Sequence, residues 1–301
     1  MRVAVTGATG RLGRALVSAL EDAPFTGPFG PLAWTRADLD LDDPDPASLL
    51  RRDRPELVVH AAAWTDVDGC AREPARAFRR NGEATGLLAA ACAADGVDLI
   101  VVSTNEVFDG RRTDGRGYRS DDPTSPINPY GASKLDGERR ATEAFDSAGP
   151  GLHLGIVRTA WLFGPPGNDF PSKILAAADR ARASGQPLRV VGDEVGSPTY
   201  AFDVAEAIVE IIGSGDVRGI HHVVNAGSAS RAAWARELFR QAAVDIAIDE
   251  VPASTWPRAS TPPAWAVLEP TPLPGGEPLR PWQAALADYL PTLLRQRAAV
   301  G

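Results

Sequence analysis

Short apolar runs punctuate this chain at intervals too long for hairpins. Val3-Ala4-Val5-Thr6, Leu32-Ala33-Trp34-Thr35, Leu57-Val58-Val59-His60 and Leu99-Ile100-Val101-Val102 lack polar alternation, the pattern of strands covered on both faces. Between them the apolar period changes. Leu12, Ala15, Leu16, Ala19 and Leu20 recur at helical spacing, and the stretch from Ala75 to Ala94 is alanine-rich and helical. Further on, 188–191 and 219–224 read as strands. Phe202, Ala205, Ile208, Val209 and Ile212 form a helix stripe that belongs to a core. Nine prolines from Pro252 to Pro281 predict a loop-rich stretch, and 282–298 closes the chain as a helix that Pro291 should bend or break. Strands alternating with helices predict an α/β fold with a doubly wound parallel sheet.

Composition narrows the partners more than the fold. The 301 residues suffice for one large domain, or for a nucleotide-binding domain with a smaller companion. A net charge of -8 argues against a nucleic-acid partner, which wants a basic face, but not against a small phosphorylated ligand held by backbone amides. Cys70 and Cys92 are too few for a disulfide framework and lack metal-ligand spacing. His221 and His222 face opposite ways on a strand, so no metal site is expected. No signal peptide or membrane-length apolar run is visible, so no membrane partner is expected and the cytoplasm is the default location.

The first run ends in Gly7-Ala8-Thr9-Gly10-Arg11-Leu12-Gly13, immediately before the first helical pattern. Strand, glycine turn and helix together make a phosphate-binding hypothesis. Gly7 allows the tight turn, Gly10 lets backbone approach a pyrophosphate, and Gly13 allows close helix packing. The helix start, at Arg11 and Leu12, offers free amides to the anion. The sheet is therefore expected to be of the Rossmann type. Arg36 follows the second run and suits a 2′-phosphate, which favours NADP(H), with NAD(H) the alternative. Small residues Ala61, Ala62 and Ala63 at the third strand's end leave room for a dinucleotide. His60 reads as a core or strand-end residue, and Asn81 as a structural bridge.

The sharpest signal is Asn128-Pro129-Tyr130-Gly131-Ala132-Ser133-Lys134, which puts a phenol and an ammonium four residues apart behind a helix-opening proline. A neighbouring ammonium is expected to lower the phenol's pKa toward the working range of a proton donor. The chain has only two lysines and four tyrosines, so chance supplies about 0.03 such pairs (4 × 2/301). Ser103 and Thr104 end the fourth run, where a hydroxyl faces the ligand crevice of an open parallel sheet.

The Thr6-led glycine spacing resembles the short-chain dehydrogenase/reductase superfamily. Together with Ala61–Asp68, Ser103–Gly110, the stretch around Tyr130, Arg158–Gly164, Asn168-Asp169-Phe170, Val191–Thr199 and Leu279–Trp282, it is similar to the dTDP-4-dehydrorhamnose reductase family over nearly the whole chain. The resemblance implies an oxidoreductase reducing a dTDP-linked 4-keto-6-deoxysugar. In it Thr104 polarises the C4 carbonyl, Tyr130 protonates it, and Lys134 holds the nicotinamide ribose. It further places Asp40 and Leu41 near the adenine, and Val67, Asn105, Trp161, Asn168 and Thr199 around the sugar. The family pattern has Asp-Tyr where Asn105-Glu106 stands and Arg-Pro where Pro262-Pro263 stands, so the sugar is open. The implied domains are 1–165 for the dinucleotide, with 200–228 returning to it, and 166–199 plus 229–301 for the substrate. Family members dimerise, so a homodimer is compatible. Two rivals remain: a nucleotide-sugar epimerase or dehydratase sharing Tyr130 and Lys134, and a non-catalytic regulatory subunit with a dinucleotide site.

Overall fold

In the computed structural model, which describes residues 1–28 and 30–298, the four apolar runs become four neighbours in one sheet. Strands β1 (Val3–Thr6), β2 (Leu32–Trp34), β3 (Leu57–His60), β4 (Asp98–Thr104) and β5 (Leu154–Thr159) are all parallel, and Gly219–His222 adds a sixth beside β5. The spatial order is Gly219–His222, β5, β4, β3, β1, β2. The order reverses between β1 and β3, so the crevice for a ligand opens at their carboxyl ends. Thr6 and His60 are partners in the β1–β3 register and mark that spot.

Side chains alternate between two covered faces. Val3, Val5, Leu57, Val59, Ile100 and Val157 pack under the helices Arg11–Glu21 and Ala201–Gly213. Ala4, Val58, Leu99 and Val101 point the other way, beneath the helices Pro46–Asp53, Ala84–Asp95 and Pro129–Ala148. Helices on both faces account for the runs without polar alternation. The Ala201–Gly213 helix buries Val204 and Ile211 as well as Ala205, Ile208 and Ile212, while Phe202 and Val209 are only partly covered.

A second core forms beyond β5. The helices Phe170–Ser184, Arg231–Gln241 and Trp282–Ala298 enclose Phe163, Leu175, Trp234, Leu238, Leu286 and Tyr289. The proline-rich stretch joins the two cores, since Leu273 and Leu279 pack against the first one. The closing helix runs through Pro291 unbroken. Pro291 is exposed, and buried Leu290 and Leu293 fix the chain on either side of it.

One buried ion pair ties the sheet to the long helix. Glu138 accepts from Arg158 Nε at 3.1 Å and Nη2 at 2.8 Å, with both side chains almost wholly buried, and also from the Ser103 hydroxyl. Removing one partner strands a charge in a dry interior, which costs far more than the intact pair contributes. Arg158→Ala is therefore expected to lower the unfolding free energy by about 3–5 kcal/mol in a urea titration. A loss below about 1 kcal/mol, the range of an exposed pair, would show that Glu138 is hydrated.

Candidate active site

The glycine turn presses against the neighbouring strand end. Gly7 has φ +65°, and a Cβ there would lie 2.9 Å from the Ala62 amide nitrogen and Cα. At Gly13 a Cβ would fall 2.1 Å from the Gly7 carbonyl oxygen, so the helix start folds tightly onto the turn. Gly10 is the N-cap, and no side chain caps the Arg11–Glu21 helix. Among the described residues the first-turn amides thus have no side-chain acceptor, the arrangement that takes an anion. Ala61, Ala62 and Ala63 line the adjoining side, half-buried. Buried Leu12 anchors the helix. Arg11 turns away from the crevice: Nε donates to Gly164 O at 3.1 Å and Nη2 to Gly167 O at 2.6 Å. Its side chain fixes the 164–168 loop, while its amide stays at the helix start. Asn168, at φ +58°, is exposed in that loop.

At the end of β2 Arg36 is exposed and pairs with Asp40 at 3.4 Å and Asp42 at 3.6 Å. Arg80 and Arg76 converge on Asp42 as well, and both guanidinium groups lie over the Trp64 ring. Leu41 is half-buried beside them. His60 is fully buried between the hydroxyls of Thr6 (2.9 Å) and Thr85 (3.1 Å), and burial holds its pKa down near 3. It is a neutral core residue. Asn81 bridges Trp64 and Ser133 within an irregular turn of the helical stretch, and so docks the β3 exit loop on the long helix.

Pro129 opens the Pro129–Ala148 helix and Asn128 caps it, its side-chain oxygen accepting the Gly131 amide at 2.8 Å. Tyr130 and Lys134 consequently project from one face, beside Thr104 at the end of β4. Among the described residues Lys134 Nζ has no hydrogen-bond partner, although the side chain is buried, and burial pulls its pKa down to about 8. The expected lowering of the Tyr130 pKa is corrected. Burial pushes the phenol well above its ordinary value, the Glu106 carboxylate adds to the rise, and only the Thr104 hydroxyl opposes it. The phenol therefore holds its proton at neutral pH, as a donor must.

Ser103 and Thr104 separate cleanly: Ser103 serves Glu138, while Thr104 accepts the Glu106 amide at 3.2 Å and faces the site. Asn105 is buried with its amide held inside the protein. Its Oδ1 accepts from Thr104 Oγ1 and its Nδ2 donates to Ala266 O, each at 3.2 Å, so both ends of the amide are engaged. Thr199 is fully buried with its hydroxyl on Ser197 O, and it offers packing rather than a free hydroxyl. Val67, half-buried, begins the Val67–Arg72 helix that Asp66 caps. Trp161 sits at φ +41°, a conformation costly for a bulky side chain. Its ring packs on Gly196 and Trp234 and carries the Arg231 guanidinium 3.4 Å from its centroid.

Two site residues escaped the sequence patterns. Arg231 lies far along the chain and, among the described residues, makes one ion pair, at 3.9 Å with Glu194, which Arg258 also holds. Burial lowers its pKa to about 10. Glu106 is the other, and its place next to Thr104 was the available signal.

A glycine turn at the switch point, with a hydroxyl, a phenol and a lysine at the next strand end, is the arrangement of a dinucleotide-dependent enzyme of the short-chain type. Comparison with known proteins agrees. The model of the RmlD substrate binding domain family matches residues 1–295. A dTDP-4-dehydrorhamnose reductase of Streptomyces griseus is 37% identical over 299 residues, covering 96% of this chain and 93% of that protein. A dTDP-4-keto-6-deoxy-D-glucose reductase of Streptomyces niveus is 35% identical, covering 96% of each. The solved dTDP-4-dehydrorhamnose reductase of Bacillus anthracis in complex with NADP superposes with a TM-score of 0.86 at 29% identity, over 97% of this chain and 99% of that one. The chain belongs to the RmlD-type dTDP-4-dehydrorhamnose reductase family and is a nicotinamide-dependent oxidoreductase.

The tightest contact in the site is at Gly131, where a Cβ would fall 2.0 Å from the Glu106 carbonyl oxygen. Gly131→Ala is expected to cost about 1–3 kcal/mol of stability. It should also move Tyr130 away from Thr104 and cut turnover at least tenfold, while nucleotide binding at the Gly7 turn persists. Denaturation, cofactor titration and steady-state rates together check this; unchanged turnover would contradict the contact.

Proposed function

We propose that the protein reduces the C4 ketone of a dTDP-linked 4-keto-6-deoxysugar, with NADPH preferred over NADH. The observation that carries the reading is the meeting of Thr104, Tyr130 and Lys134 at the carboxyl edge of the sheet, beside the uncapped helix after the Gly7 turn. Relatives that act on dTDP-ketosugars support the substrate class. The three arginines gathered at the end of β2 support a 2′-phosphate over a bare hydroxyl.

A bound nicotinamide supplies the hydride. The chain supplies the rest. Gly7, Gly10 and Gly13 admit a pyrophosphate to the first-turn amides of the Arg11–Glu21 helix. The Thr104 hydroxyl turns its one proton from Asn105 Oδ1 to the ketone oxygen and orients it. Tyr130 delivers its proton to that oxygen as the carbon is reduced, so charge never accumulates on it. The Lys134 ammonium, free of protein partners, steadies the phenolate left behind and the ribose hydroxyls. Arg231, on its Trp161 platform, offers five donors to the sugar's diphosphate. The proline-rich stretch closes the site from outside: Thr261 O accepts from Asn128, the Ser260 amide donates to Asp68, and Pro263 packs on Gly110.

NADPH oxidation with a 4-keto-6-deoxysugar generated in place tests the reading. Tyr130→Phe is expected to lower kcat about 10²–10⁴-fold with cofactor binding intact; full activity in this variant would remove Tyr130 as the proton donor, and no oxidation by the native protein despite cofactor binding would revive the regulatory reading. The pH dependence has a defined sign. With Lys134 near 8, its ammonium is lost as pH rises through that value, and kcat/KM for NADPH, which reports the free protein, should fall there. A profile flat to pH 10 would contradict a role for that charge.

A further inference from the structure

Glu106 is a carboxylate in the site that the mechanism above leaves unused. It follows Thr104 by two residues, and its own amide donates to the Thr104 hydroxyl at 3.2 Å. One carboxylate oxygen, Oε2, accepts from Asn128 Nδ2 at 2.7 Å. Among the described residues the other oxygen has no hydrogen-bond donor. The group is close enough to Tyr130 to act on its phenol and lies within electrostatic reach of Arg231, Glu194 and Arg258. Its placement is rigid, because Asn128 caps the catalytic helix with one end of its amide and clamps Glu106 with the other. The side chain is half-buried, so the free oxygen is open to a ligand.

The chemistry of the substrate says what that donor is. Burial raises the pKa of this carboxyl, with the Asn128 hydrogen bond and the Arg231 and Arg258 charges opposing the rise, and in its ionised form the group only accepts hydrogen bonds. Of the two ring carbons beside the C4 ketone of a 4-keto-6-deoxysugar, C5 carries a methyl group and C3 a hydroxyl. Of the two neighbours, only C3 offers a donor to the free oxygen of Glu106.

We propose that Glu106 is a specificity-determining residue that accepts a hydrogen bond from the sugar's C3 hydroxyl and selects for substrates carrying a donor there. This inference rests on the ketosugar-reductase reading. A hydrogen bond to a charged acceptor is worth about 10- to 100-fold in kcat/KM, and losing the donor leaves that oxygen of the carboxylate unpaired. The selection is made in binding and orientation, while Tyr130 and Thr104 carry out the proton transfer. In Glu106→Gln the side-chain oxygen stays on Asn128 and the amide NH₂ turns toward the sugar, so the shape is kept and the acceptor is lost.

The experiment is a two-by-two cycle: native protein and Glu106→Gln, each with the 3-hydroxy and the 3-deoxy 4-ketosugar of dTDP. Binding of NADPH in both proteins serves as the control for folding. The native protein is expected to lose about 10- to 100-fold in kcat/KM when the C3 hydroxyl is removed, and the variant less than about threefold. Equal discrimination in the two proteins, or none in the native one, overturns the role of Glu106. No turnover of either sugar by the native protein overturns the parent reading and this one with it, and is distinct from the first failure. A variant that no longer binds NADPH calls for the same cycle with Glu106→Asp, which keeps the charge and shortens its reach. Discrimination that falls in Glu106→Asp at full cofactor affinity then supports the role, and discrimination equal to the native protein's overturns it.

Discussion

The site depends on how closely the catalytic helix can approach the loop that leaves β4. That distance is set by Gly131, the residue next to Tyr130, which has room for only a hydrogen against the Glu106 carbonyl oxygen. Asn128 locks the same junction from the other side by capping the helix, clamping Glu106 and donating to Thr261 O at 3.2 Å. Strand end, helix start and proline-rich cover therefore meet at one asparagine. Tyr130 and Thr104 come from different elements, and this junction sets their mutual position.

The electrostatics follow the same economy. The long helix carries a lysine and a glutamate one turn apart, at Lys134 and Glu138, and on an exposed helix they would pair. Here Glu138 is committed to Arg158 and Ser103 inside the protein, so Lys134 keeps its donors for a ligand. Burial then sets the proton inventory: the Tyr130 phenol is driven up and the Lys134 ammonium down to about 8. The pair holds a proton on the donor and a charge beside it across the neutral range.

The fold and the catalytic pair were legible in the sequence because both are local patterns. Buried strands show as unbroken apolar runs, the glycine turn follows one of them directly, and Tyr130 and Lys134 share a helix face by spacing alone. The sugar end was legible only through family resemblance, because its residues come from distant parts of the chain. Asn105 and Glu106 are neighbours, and the sequence does not say which faces the ligand. The answer comes from Ala266, 161 residues away, which takes the Asn105 amide and leaves Glu106 toward the site. Thr199 likewise lies beside the region expected of it, with its hydroxyl turned inward. Arg231 has no local mark; its role appears once Trp161 is packed beneath it. The Tyr130 pKa was misjudged because proximity to an ammonium was weighed without the depth of burial.

Direct hydride delivery to C4 is the account's central claim, and an isotope label tests it. The protein would be given NADPH carrying deuterium at the transferable nicotinamide position together with the 4-ketosugar, and the product examined by mass spectrometry and NMR. The expected result is one deuterium at C4 of the sugar for each NADPH consumed. An unlabelled sugar, or label kept on a cofactor that is not consumed, would contradict the account and place the protein with enzymes that return the hydride they borrow.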